Sequence, residues 1–136
     1  MITIKTPEEI KILREGGKKL ASVLYQVAEM VRPGIATIEL DKMAKKLIKD
    51  NGGEPSFLNY KTIEDRISYP ASLCVSINDE VVHGIPSFRK LKNDDIVSLD
   101  LGMKFKNFYT DMAFTVGTGK IIEVAKKIIS RRNKSN

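Results

Sequence analysis

One cysteine, one histidine and no tryptophan in 136 residues exclude several kinds of chemistry at once. Cys74 has no partner for an internal disulfide, and one histidine beside one cysteine cannot build a zinc finger or an all-thiolate cluster. Any metal ion must therefore lean on carboxylates. No run of apolar residues is long enough to cross a bilayer. The opening Met1-Ile2-Thr3-Ile4-Lys5-Thr6-Pro7 lacks the charged and long apolar regions of an export signal. A cytoplasmic address without membrane association is the expectation. There is no internal repeat and no low-complexity linker.

What is present is 42% hydrophobic and 29% charged residues, the balance of one globular domain with a real core. The formal charge is +6, but Lys126, Lys127, Arg131, Arg132 and Lys134 against a lone Glu123 concentrate it near the end of the sequence. Basicity is thus a property of the tail. Residues 126–136 are expected to be a disordered basic extension of a domain at 1–125, with contact to a ribosome surface as the functional alternative. Sequence-specific nucleic-acid readout is not expected.

Thr6-Pro7-Glu8-Glu9 combines a hydroxyl cap, a proline at the first helical position and a glutamate three after the cap, which predicts a helix start. Ile10, Leu13, Gly17, Leu20, Leu24, Val27 and Val31 recur at three and four residues and predict one buried stripe, ended by Pro33-Gly34. A second helix is predicted from Thr37, with Leu40, Met43, Ala44, Leu47 and Ile48 inward and Asn51-Gly52-Gly53 closing it. The period then changes. Ser72 to Asn78, Asp95 to Met103 and Phe108 to Val116 read as strands. Helices first and sheet second predict an α+β packing. A last helical pattern runs through Ile121, Val124, Ala125, Ile128 and Ile129.

Asp100 lies in a run whose neighbours are those of a buried strand, where an unpaired carboxylate costs several kcal/mol or takes up a proton. Asp111 lies in the next strand. A hairpin turning through Phe105 and Lys106 would set the two aspartates directly opposite each other, with β-carbons about 4.5–5.5 Å apart. Two like charges would then meet, and a divalent cation would make their proximity favourable. The bland alternative is a pair of aspartates that simply flank a turn. His83, before Gly84 and near Pro86, suits proton transfer or a substrate hydrogen bond, or else satisfies a local backbone group. Cys74 by itself reads as a small buried apolar residue.

Four segments taken together resemble the type I methionine aminopeptidases of the pita-bread fold. They are Tyr69-Pro70-Ala71-Ser72-Leu73-Cys74-Val75-Ser76-Ile77-Asn78, Val82-His83-Gly84-Ile85-Pro86, Asp94-Asp95-Ile96-Val97-Ser98-Leu99-Asp100 and Tyr109-Thr110-Asp111-Met112-Ala113-Phe114-Thr115-Val116-Gly117. The likeness covers roughly residues 3 to 125 and corresponds to that family's amino-terminal half. It implies half of a pita-bread fold, an antiparallel sheet with helices on one face. It implies that Asp100 and Asp111 are ligands of two divalent metal ions, with Co, Mn, Fe, Zn and Ni equally compatible. It implies that His83 contacts substrate and stabilises the transition state, and that Tyr69 and Cys74 line the pocket for a methionine side chain. The implied reaction is hydrolytic removal of the initiator methionine from the amino termini of nascent polypeptides.

The family's remaining ligands, one histidine and two glutamates, have no counterpart here, and His83 cannot stand in for the missing histidine. The expectation is a truncated or frameshifted copy that is a poor peptidase alone. The alternatives are one half of a complemented enzyme and a non-catalytic pita-bread binding module.

Overall fold

The computed structural model describes residues 5–57, 71–79 and 84–118. Helix α1 spans Pro7–Glu29 and helix α2 spans Thr37–Asp50. The strands are β1 (Glu54–Pro55), β2 (Leu73–Ile77), β3 (Ile96–Phe105) and β4 (Phe108–Gly117). The start of α1 is the expected capping box. Thr6 Oγ1 accepts from the Glu9 backbone N–H at 3.2 Å and Glu9 Oε1 accepts from the Thr6 N–H at 3.0 Å, satisfying two donors that the first turn would otherwise leave open. The buried stripe differs from expectation in its first half. It passes through Gly16 rather than Gly17, and Ile10 is 42% exposed. Gly16 faces Phe105, and a β-carbon there would lie 3.4 Å from its ring, an ordinary van der Waals contact.

All strand pairings are antiparallel. Strand β3 is central: β1 and β2 share one of its edges and β4 takes the other. Leu73, Val75 and Ile77 of β2 and Val97, Leu99, Leu101 and Met103 of β3 point to one face and are buried. There they meet Leu20, Val23, Leu24 and Val27 of α1 and Leu40, Ala44 and Ile48 of α2 in a single cluster. Each Val, Leu, Ile or Met side chain among them stabilises the fold by about 1.5–3 kcal/mol. The opposite face of the sheet carries no helix among the described residues, and its positions on β3 up to Asp100 are exposed.

Two connections hold the sheet to the helices. Asp41 of α2 accepts with one oxygen, Oδ1, from the backbone N–H groups of Ser72 at 2.7 Å and Leu73 at 2.9 Å, and so anchors the start of β2. The stretch after Pro86 is knitted to the entry of α2. Ser87 donates its N–H to Thr37 Oγ1 at 2.8 Å, and its carbonyl accepts from the Ile38 N–H at 2.8 Å. The carbonyl thereby serves one of the open donors of that helix end. The helical pattern expected at residues 121–129 and the basic tail lie outside the described residues.

Candidate metal centre on the uncovered sheet face

The β3–β4 hairpin turns through Lys106 and Asn107, both in the left-handed region with φ of 47° and 70°. Positive φ at both central residues is the type I′ arrangement, whose twist matches that of paired strands. Phe105 therefore closes the hairpin with Phe108, Asp100 stands opposite Ala113, and Asp111 opposite Gly102. The expected direct opposition of Asp100 and Asp111 is incorrect by two residues, because the turn lies one residue later than Phe105 and Lys106. A two-residue step preserves the face. The two carboxylates consequently share the uncovered face as diagonal neighbours, about 7–8 Å apart at their backbones.

The expected burial of Asp100 is also incorrect. Its strand alternates, and the side chain belongs to the exposed set. The apolar neighbours that suggested burial, Leu99 and Leu101, point the other way.

The pair is open on its Ala113 side, whereas the Gly102 corner lies under Ser56 and Phe57. The other two corners of the carboxylate quadrilateral are Gly102 and Ala113, the two smallest side chains available. Asp111 is exposed, and it makes no ion pair among the described residues. Two carboxylates present up to four hard oxygen donors, a set that fits a divalent ion as part of its shell. Among the described residues no third histidine, cysteine, aspartate or glutamate converges on the pair. The pair is a partial site.

Cys74 is half-buried on β2 directly opposite Asp100 and on the same face. Sequence placed it near the aspartates only through resemblance, and the β2–β3 register now sets it opposite Asp100. His83 and Tyr69 lie outside the described residues. Gly84, which follows His83 in the chain, is described: its carbonyl accepts from the Val75 N–H at 2.9 Å, and a β-carbon on it would overlap the Val75 carbonyl oxygen.

Sequence reasoning missed the residues flanking Asp111. A β-carbon at Gly102 would overlap Ser56 Oγ and lie 2.9 Å from the Phe57 ring, so these two side chains cover the face beside the carboxylate. One rung nearer the turn, Lys104 stands opposite Tyr109, with its Nζ 5.7 Å from the ring centroid. The hairpin register sets Lys104 beside Tyr109, and the β1–β3 pairing, continued by the Ser56 N–H donating to the Gly102 carbonyl at 3.2 Å, brings Ser56 and Phe57 there.

A hydrogen-bonded clamp at the far end fixes the three strands. Asp95, 8% exposed, accepts from the Lys92 N–H at 2.8 Å and from Asn78 Nδ2 at 3.1 Å. Asn78 Oδ1 accepts from the Ile96 N–H at 2.9 Å, and Thr118 Oγ1 accepts from the Asp95 N–H at 2.9 Å while donating to the Lys92 carbonyl at 2.7 Å. The Lys92 N–H holds the Asp95 carboxyl below its ordinary range; burial opposes this, and the Asn78 amide adds to it.

A helix pair on one face of an antiparallel sheet, with two carboxylates presented from its central hairpin, is the half-unit of a pita-bread metallopeptidase. Residues 11–134 match Metallopeptidase family M24, and the chain belongs to that family. It is 43% identical over 129 residues to the methionine aminopeptidase of Clostridium perfringens, covering 95% of this chain and 49% of that protein. With methionine aminopeptidase 1 of Bacillus subtilis it shares 41% over 129 residues, or 95% and 50% of the two chains. Among solved structures, methionine aminopeptidase from Rickettsia prowazekii superposes with a TM-score of 0.83 at 32% identity, covering 96% of this chain and 50% of that one. A prolidase from Pyrococcus horikoshii, at 22% identity and a TM-score of 0.71, shares the fold. The chain spans about half the length of the curated relatives it matches.

Proposed function

We propose that this chain carries part of the machinery of a metal-dependent methionine aminopeptidase, acting in the cytoplasm on the amino termini of nascent polypeptides. The observation that carries the reading is the placement of Asp100 and Asp111 as diagonal neighbours on the sheet face that no described helix covers. In this reading both aspartates hold divalent ions, two in number, whose identity among Co, Mn, Fe, Zn and Ni follows supply rather than this donor set. When bound, the ions supply Lewis acidity for attack of water on the scissile carbonyl. Cys74 and Tyr69 line the pocket for the methionine side chain. His83 donates a hydrogen bond to the reacting peptide. The domain is assigned to residues 1–125, with 126–136 a basic tail suited to a polyanionic surface such as the ribosome.

The absence of a third converging ligand among the described residues favours a second reading, in which the pair works only when a complementary half completes it. Isothermal titration with Mn²⁺ or Co²⁺, followed by hydrolysis of a Met-Ala-Ser peptide, tests both. Weak metal uptake that is lost in Asp100→Asn and in Asp111→Asn is expected. Turnover by the chain alone favours the complete-enzyme reading, and uptake without turnover favours the complemented one. Uptake unchanged in both variants overturns the assignment of the metal centre.

A further inference from the structure

Strand β4 is an edge. Its inner side pairs with β3 along Phe108–Gly117, and among the described residues no strand pairs with its outer side. Edge strands are ordinarily protected from joining other chains by shortness, a bulge, a proline or a row of charges. None of these protects β4. It is 10 residues long, its register with β3 runs from Phe108 to Gly117 without a skipped residue, and it holds no proline and one charge, Asp111. On the helix side its margin is apolar. Met112 and Phe114 are half-buried, and the Phe114 ring meets Tyr25, itself 53% exposed, edge-on at 5.2 Å.

The Gly102 carbonyl accepts from the Ser56 N–H and the Ile96 carbonyl from the Asn78 N–H, so the even-numbered residues of β3 turn their backbone groups away from β4. Opposed residues of an antiparallel pair both turn toward each other or both away. Asp111 stands opposite Gly102 and Ala113 opposite Asp100, and the N–H groups of Tyr109, Asp111, Ala113 and Thr115 therefore point to the open edge.

Such an edge is complementary to itself. Two β4 strands related by a twofold axis through Met112 pair antiparallel, with Asp111 opposite the second copy's Ala113, Tyr109 opposite its Thr115, and about eight backbone hydrogen bonds across the join. An axis through Asp111 would set like charges directly opposite each other, and one through Ala113 would carry them well apart. In the Met112 register the two Asp111 side chains are diagonal neighbours, about 7–8 Å apart at their backbones, and share a face with both Asp100 side chains. Four carboxylates then line one strip, where a single chain offers a pair that no third ligand joins among the described residues.

Resting on the metal-site reading above, we infer that the outer edge of β4 is a docking surface for a second copy of this chain, and that the joined edges unite two partial carboxylate pairs in one divalent-metal site. The cations offset the repulsion among the carboxylates, so association and metal uptake are coupled.

Sedimentation equilibrium of the full chain in Mn²⁺ and in EDTA, with amide exchange at several protein concentrations, tests this. Mn²⁺ should tighten dimerisation by about tenfold or more. Exchange at Tyr109, Asp111, Ala113 and Thr115 should slow as protein concentration rises, while Thr110, Met112 and Phe114 stay slow throughout. Thr115→Pro, which removes an outward N–H, should abolish the dimer, and Thr115→Val, which keeps it, should not. Asp111→Asn should dimerise better than the native chain in EDTA and lose the response to Mn²⁺. A monomer that takes up Mn²⁺ in calorimetry overturns the second copy and leaves the metal centre standing. Slow exchange at the outward amides of a monomer assigns the edge to residues of the same chain and likewise overturns it. Dimerisation that ignores Mn²⁺ or survives Thr115→Pro overturns the joined site. Absence of both uptake and association overturns both readings. If Thr115→Pro does not fold, the concentration dependence of exchange in the native chain decides.

Discussion

Thr110 sits on the helix side of β4 with its hydroxyl oxygen fully buried and no hydrogen-bond partner among the described residues. An isosteric methyl in place of an unsatisfied hydroxyl removes a desolvation cost. Thr110→Val should therefore be neutral or raise stability by up to about 1 kcal/mol in urea unfolding. Asp95 makes the opposite prediction, in the acid range. Its folded pKa lies below the ordinary 3.8, so the stability it contributes is present above that value and is lost as pH falls through it toward the folded one. Wild-type stability should accordingly drop more steeply as pH falls below 3.8 than that of Asp95→Asn, which has no such proton to take up. Thr110 was invisible in the sequence because an isolated threonine in a strand says nothing about what lies above it. Asp95 was read as a strand residue, and its role needed Asn78 and Thr118, 17 and 23 residues away.

Elements with local causes were the most legible. Helix α1 began where Thr6, Pro7 and Glu9 announced it, because a capping box is complete within four residues. Strands β2, β3 and β4 were recognised within two residues at each end, yet the two-residue β1 escaped notice for want of any pattern. The hairpin register was misread by one turn position, although Asn107, a residue that tolerates positive φ, was a usable signal. Gly84 acts at this scale as well, pressing the segment behind His83 against β2. Gly84→Ala should push that segment away, break the Val75–Gly84 bond and cost about 1–3 kcal/mol. Faster hydrogen exchange at the Val75 amide, with the β3–β4 amides unchanged, would register the local character of the damage.

At the scale of the whole molecule, helices among the described residues cover the sheet on one side only. The fold class and the shared face of Asp100 and Asp111 were legible, since alternation along a strand survives a two-residue error. The direction in which Asp100 points was not. Period-two patterns separate two faces but do not say which one meets water, and the flanking leucines outvoted the aspartate. Matching about half the length of its relatives agrees with a layer that ends at an uncovered sheet.

That one-sidedness should be written into mutational tolerance. A saturation library across Ile96–Phe105, scored for abundance of folded protein, should show a two-beat rhythm. Positions 97, 99, 101 and 103 should reject polar residues while 96, 98 and 100 accept most replacements. The beat should fail once, at Gly102, where the overhanging Ser56 and Phe57 leave no room for any side chain.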